Sequence, residues 1–131
     1  MTWERERGSL KAKQPYLLKF RVDDGTGSPA RDLMPYMGMP GHAIVLRRDL
    51  SVFAHVHPFG TAPMASLALT SRDHAQPMQH MQHLSAPTAA NALPPTVSFP
   101  YGFPREGDYR LFIQIKRGSS VQTGVFDVHV D

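Results

Sequence analysis

The strongest constraint in this sequence is a period of two. From Tyr109 to Lys116, Tyr109, Leu111, Ile113 and Ile115 alternate with Arg110, Phe112, Gln114 and Lys116. Tyr16 to Val22 repeats the pattern, with Tyr16, Leu18, Phe20 and Val22 on one face and Leu17, Lys19 and Arg21 on the other. Successive side chains of an extended chain point to opposite faces, so such a segment buries one face and wets the other. A helix, with 3.6 residues per turn, would scatter the same residues around its circumference.

Shorter segments fit the same rule. His42 to Arg48 and Ser51 to His57 read as two strands joined by the polar Arg47-Arg48-Asp49, and Pro58 stops the second. Thr96 to Phe99 reads as a short strand. Val121 to Val130 reads as the last, with Phe126, Val128 and Val130 inward. Asp23-Asp24-Gly25-Thr26-Gly27-Ser28-Pro29 and Gly118-Ser119-Ser120 are turn chemistry. Pro35, Gly38, Pro40 and Gly41 argue against a regular helix over 30–41. The segment 60–95 breaks the pattern and is rich in Ala, Pro, Met, Gln, His, Ser and Thr. Within it, Met64 to Leu69 fits a short strand and Pro77 to Leu84 one or two helical turns.

These segments predict an all-β, antiparallel β-sandwich of about seven strands, an immunoglobulin- or cupredoxin-like Greek key. A polar lead-in over 1–14 precedes a single domain over 15–131, with a long irregular insertion at about 60–95. Charged residues running straight into a strand fit a piece of a longer protein. Gly107-Asp108-Tyr109 fits a tyrosine corner, in which a phenol bonds back to the backbone just upstream.

Composition narrows the function. A chain of 131 residues is long enough for a core without covalent staples. It has no cysteine, which removes disulfides, thiolate metal sites, a blue-copper centre and a cysteine nucleophile. No apolar run reaches the length of a membrane-spanning helix, and MTWERERGSLKAK has no apolar stretch of a secretory signal. Fourteen Lys and Arg against eleven Asp and Glu give a net charge of +3, without the dense basic face of a nucleic-acid binder. No Gly-x-Ser-x-Gly elbow, phosphate-binding glycine loop or His-Glu-x-x-His occurs, and the sequence names no general base to go with a histidine-held metal. The expectation is a binding domain and not an enzyme.

Seven histidines and seven methionines remain, unevenly spread. His55 and His57 are two apart on a strand, so both project from one face with Cβ atoms roughly 6–7 Å apart. His42 begins the strand expected to pair with theirs. A turn centred near Asp49 places residue 42 opposite roughly residue 56, beside one or the other. Met37 and Met39 lie just upstream in a Gly/Pro loop. Imidazole with thioether selects copper, and imidazole alone also suits zinc or nickel. The metal ligands expected are therefore His42, His55, His57 and Met39, with Met37 behind it. His80, His83, Met78 and Met81 in the insertion form a weaker secondary group, because a helix would turn its histidines and methionines to different faces. His129, between Val128 and Val130, is expected to face solvent.

Three segments form an ordered set: Tyr36-Met37-Gly38-Met39-Pro40-Gly41-His42-Ala43, Asp49-Leu50-Ser51-Val52-Phe53-Ala54-His55-Val56-His57-Pro58, and Phe99-Pro100-Tyr101-Gly102-Phe103-Pro104-Arg105-Glu106-Gly107-Asp108-Tyr109-Arg110. The set resembles a largely uncharacterised bacterial family of extracytoplasmic β-sandwich domains with Tyr-x-Gly-x-x-Gly-His, His-x-His-Pro and Pro-x-x-Gly-x-Tyr-Arg motifs. The resemblance covers roughly residues 16–130, with 65–95 as the variable part. It implies a setting in exported or membrane-attached proteins, sometimes linked to copper or other heavy-metal handling, and it transfers no activity.

The function expected is a transition-metal domain, copper before zinc, for metal acquisition, buffering or delivery. Its partners are the ion and other domains of a longer extracytoplasmic protein, periplasmic or cell-surface, with no nucleic acid and no membrane insertion by this segment. The competing expectation is a structural or protein-interaction module in which the histidines stabilise a hairpin through hydrogen bonds.

Overall fold

In the computed structural model, which describes residues 1–5, 8–58 and 93–131, the alternating segments form strands. Eight lie among the described residues: β1 (Thr2–Glu4), β2 (Pro15–Arg21), β3 (Leu33–Met34), β4 (His42–Arg47), β5 (Phe53–Val56), β6 (Thr96–Gly102), β7 (Gly107–Arg117) and β8 (Ser120–Val130). They make two antiparallel sheets, packed against each other as a β-sandwich. One sheet has the order β1-β2-β6. In the other, β7 carries β8 along its whole length, and its opposite edge is shared by β4, extended outward by β5, and by β3.

The core lies between the sheets. Leu18 and Phe20 of β2 and Val97 and Phe99 of β6 meet Ala43 and Val45 of β4, Val56 of β5, and Tyr109, Leu111, Ile113 and Ile115 of β7. Each Val, Leu, Ile or Phe side chain so buried contributes about 1.5–3 kcal/mol. The alternation in β2, β7 and the second half of β8 fixes which face turns inward, because a slip of one residue would expose the whole buried row of each strand.

Three features differ from the sequence expectation. The lead-in carries β1, whose Trp3 stacks on Phe20 at 5.5 Å and whose Glu4 pairs with Lys19 at 2.9 Å. Farther along it, Leu10 is buried and forms a parallel bridge with Val130. β6 does not stop at Phe99 but continues through Pro100, which sits opposite Leu17. Proline is tolerated there because, among the described residues, β6 is an edge strand with no neighbour on its outer side. β3 is a two-residue strand against Lys116 and Arg117, too short for a period to register. The short strand expected at Met64–Leu69 and the helical turns at Pro77–Leu84 lie outside the described residues. No helix of the described residues is long and apolar enough to cross a membrane.

The tyrosine corner is present. Tyr109 is fully buried and its hydroxyl donates to the Arg105 carbonyl at 2.7 Å, pinning the β6–β7 connection to the start of β7. Phe103 packs edge-on against the same ring at 4.9 Å. Tyr109→Phe removes the donor and leaves a carbonyl without its partner, so the expected loss is about 1–3 kcal/mol with an unchanged fold, measured by urea unfolding.

Candidate metal centre

The β4–β5 hairpin sets the geometry. Its connection closes with the Arg47 amide on the Val52 carbonyl at 2.9 Å and the Leu50 amide on the Arg47 carbonyl at 2.8 Å. Leu50 takes a left-handed conformation, with φ of 64°. Asp49 accepts hydrogen bonds from the Ser51 amide and hydroxyl and pairs with Arg47. Its carboxyl is held below the usual value, first by the Ser51 hydroxyl.

The resulting register places Ala43 opposite Val56 and Ile44 opposite His55. Continued one step, it places His42 opposite His57, one residue beyond the position 56 expected from a turn centred on Asp49. Ala43, Val45 and Val56 point into the core, so alternation turns His42, His55 and His57 to the outer face of the same sheet.

There the three imidazoles converge. Ring centroids lie 5.3 Å apart for His42 and His55, 5.1 Å for His42 and His57, and 4.7 Å for His55 and His57. One nitrogen from each ring falls within 4.8 Å of the other two. The closest pair is His42 Nδ1 and His55 Nε2, at 3.1 Å. Two nitrogens on a tetrahedral zinc at about 2.0–2.1 Å stand about 3.3–3.4 Å apart, so the His42–His55 pair is near the spacing a small ion requires. His42 is buried at 6 % exposure, His57 is partly buried and His55 is exposed, which makes one wall of the cluster fixed and the other open.

Two local features hold His42. Tyr36 to Met39 forms a two-residue hairpin turn, with reciprocal backbone bonds of 2.7 and 3.0 Å between Tyr36 and Met39. Met37 and Gly38 have φ of 50° and 80°, the left-handed pair of a type I′ turn. The Tyr36 carbonyl also lies 3.1 Å from His42 Nε2, and the Tyr36 ring meets the imidazole edge-on at 5.2 Å. Gly41 brings the chain against β7 so closely that a Cβ there would lie 2.7 Å from the Gln114 carbonyl oxygen. Tyr36 and Gly41 stand in the Tyr-x-Gly-x-x-Gly-His motif, which assigns neither a role at the site. Gly38 was the available signal for the turn, but the carbonyl contact leaves no mark in side-chain identity.

The other expected ligands fall differently. Met37 sits on the turn with 76 % exposure. Met39 is buried, at 9 %, but stands apart from the hydrophobic core cluster. His80, His83, Met78 and Met81 lie outside the described residues. His129 is exposed as expected, with Nδ1 2.7 Å from Asp108 Oδ1.

The comparisons with known proteins add a family. A family model described as a domain of unknown function, DUF8832, matches residues 1–131. The chain belongs to that family. No curated protein and no solved structure matches it. Membership agrees with an uncharacterised domain family and carries no assigned chemistry.

The electrostatics separate the histidines. Burial, and then the neighbouring His55 and His42, push His57 below its ordinary value of 6.5, so this ring stays neutral and able to ligate at physiological pH. Its contribution to folding is present above 6.5 and is lost as pH falls through the lowered value. Asp108 pushes His129 the other way, so its contribution is present below 6.5 and is lost as pH rises through the raised value. Proton NMR titration of the metal-free protein should therefore place the His57 midpoint below 6.5 and the His129 midpoint above it. Gly41→Ala should destabilise the fold by about 1–3 kcal/mol through overpacking and displace the start of β4, read by urea unfolding and by shifts of the His42 ring resonances.

Proposed function

We propose that this domain binds a transition-metal ion through His42, His55 and His57, copper before zinc, and serves in metal acquisition, buffering or delivery within a larger extracytoplasmic protein. The observation that carries the reading is the convergence of three imidazole nitrogens within 4.8 Å on one sheet face. Nitrogen donors suit copper, zinc and nickel, and the cluster contains no carboxylate, which disfavours calcium and magnesium. The preference for copper rests on sulfur next in sequence: Met39 is the first additional donor, with Met37 behind it. The extracytoplasmic setting rests on the resemblance of the three motif segments.

A second reading has an observation of its own. The 3.1 Å contacts of His42 with His55 and with the Tyr36 carbonyl make a hydrogen-bonded staple between β4, β5 and the turn. A structural or interaction module would need no more. That staple gives His57 no reason to lean toward the other two rings.

Titration calorimetry with copper and with zinc, on protein carrying no histidine tag, separates the readings. The wild type should take one ion per chain at the cluster. His55→Ala/His57→Ala should lose at least about 100-fold in affinity while keeping its circular dichroism spectrum, since a single imidazole is a poor site. Equal stoichiometry and affinity in both proteins would remove the proposal. Affinity should also fall as the pH is lowered, because each ligating ring must be neutral.

A further inference from the structure

We infer, on the reading that the three histidines hold an ion, that the Tyr36–Met39 turn is a positioning device that fixes the tautomer of His42 and so chooses its ligand atom. A backbone carbonyl only accepts hydrogen bonds, and it has two lone pairs. The Tyr36 carbonyl takes the Met39 amide at 3.0 Å on one and faces His42 Nε2 at 3.1 Å with the other. His42 must therefore carry its proton on Nε2. A neutral imidazole has one N–H, so Nδ1 is the bare lone pair, and Nδ1 is the atom that points at His55.

The consequence is asymmetric. With His42 Nδ1 an acceptor, His55 must donate from Nε2 across the 3.1 Å contact in the metal-free protein. An ion placed between the two rings needs a lone pair from each. His42 already presents one. His55 has to give up its Nε2 proton to solvent and take one from solvent at Nδ1, a change of tautomer with no net change of charge. It can do so because the ring is exposed. The ion is then held by Nδ1 of the buried histidine and Nε2 of the exposed one. The rigid ring waits in its binding form, and the accessible ring adjusts. A metal-ligating imidazole whose other nitrogen is held by a carbonyl is a recurrent support, and its loss weakens binding about 10- to 100-fold.

The test is long-range proton–nitrogen NMR of the imidazoles at pH 8, first without metal and then with zinc, which is diamagnetic. Without metal, His42 and His55 should both be Nε2–H. With zinc, His42 should remain Nε2–H with its Nδ1 resonance shifted, and His55 should become Nδ1–H. Gly38→Ala perturbs the turn through backbone conformation alone, since φ is +80° and no atom lies within 4 Å of the added Cβ. It should mix the His42 tautomers and weaken zinc binding about 10-fold. Gly27→Ala imposes the same kind of penalty at φ +93°, also in open space, in a loop that supplies nothing to the cluster. It should change neither reading.

His42 found as Nδ1–H in the metal-free wild type would overturn the inference, as would a folded Gly38→Ala protein with wild-type zinc affinity. If Gly38→Ala does not fold, the wild-type spectra decide alone. A wild type that binds no zinc or copper but keeps His42 as Nε2–H would uphold the turn's hold on the ring and overturn the metal reading instead.

Discussion

The site depends on the pairing of β4 with β7 on one side and β5 on the other. Those two registers place Ala43, Val45, Val56, Leu111 and Ile113 in the core together, and β7 sets the choice most strictly, because a shift of one residue would turn Arg110, Gln114 and Lys116 inward. The histidines occupy the complementary positions and inherit the precision of that choice. Hydrophobic packing on one side of the sheet thus aligns imidazoles on the other.

Much of this was legible in the residues. A strict period of two in β2 and β7 needs no tertiary information, and His-x-His on a strand places two rings side by side in any β-fold. The tyrosine corner could be read because its function lies in one side chain. The register of the hairpin was read one residue short, because a turn sequence does not reveal whether its loop holds an odd or an even number of residues. Here Leu50 takes a left-handed conformation that apolar residues seldom adopt, and the turn centres between Asp49 and Leu50. β1 and β3 escape a sequence reading because two or three residues cannot display a period, and because Glu4, in what looks like a charged tail, pairs across the strands with Lys19 and Arg21 of β2.

The cluster also shows how little chemistry a sequence displays when the supporting shell is backbone. His42 looks like any histidine at a strand start. Its burial, the carbonyl behind it and the close approach at Gly41 make it a fixed donor, and none of these depends on a recognisable side chain. His55 and His57 are the reverse: plain in sequence, with the His55 ring exposed and the His57 ring partly buried.

Anomalous diffraction at the copper and zinc absorption edges, from crystals of tag-free protein grown with each metal, shows whether the three rings share an ion. If they do, a single strong peak lies on the outer face of the β4–β5 hairpin, about 2.0–2.1 Å from one nitrogen each of His42, His55 and His57. Metal-bearing crystals with the peak elsewhere, or with no peak beside these three rings, would contradict the metal reading.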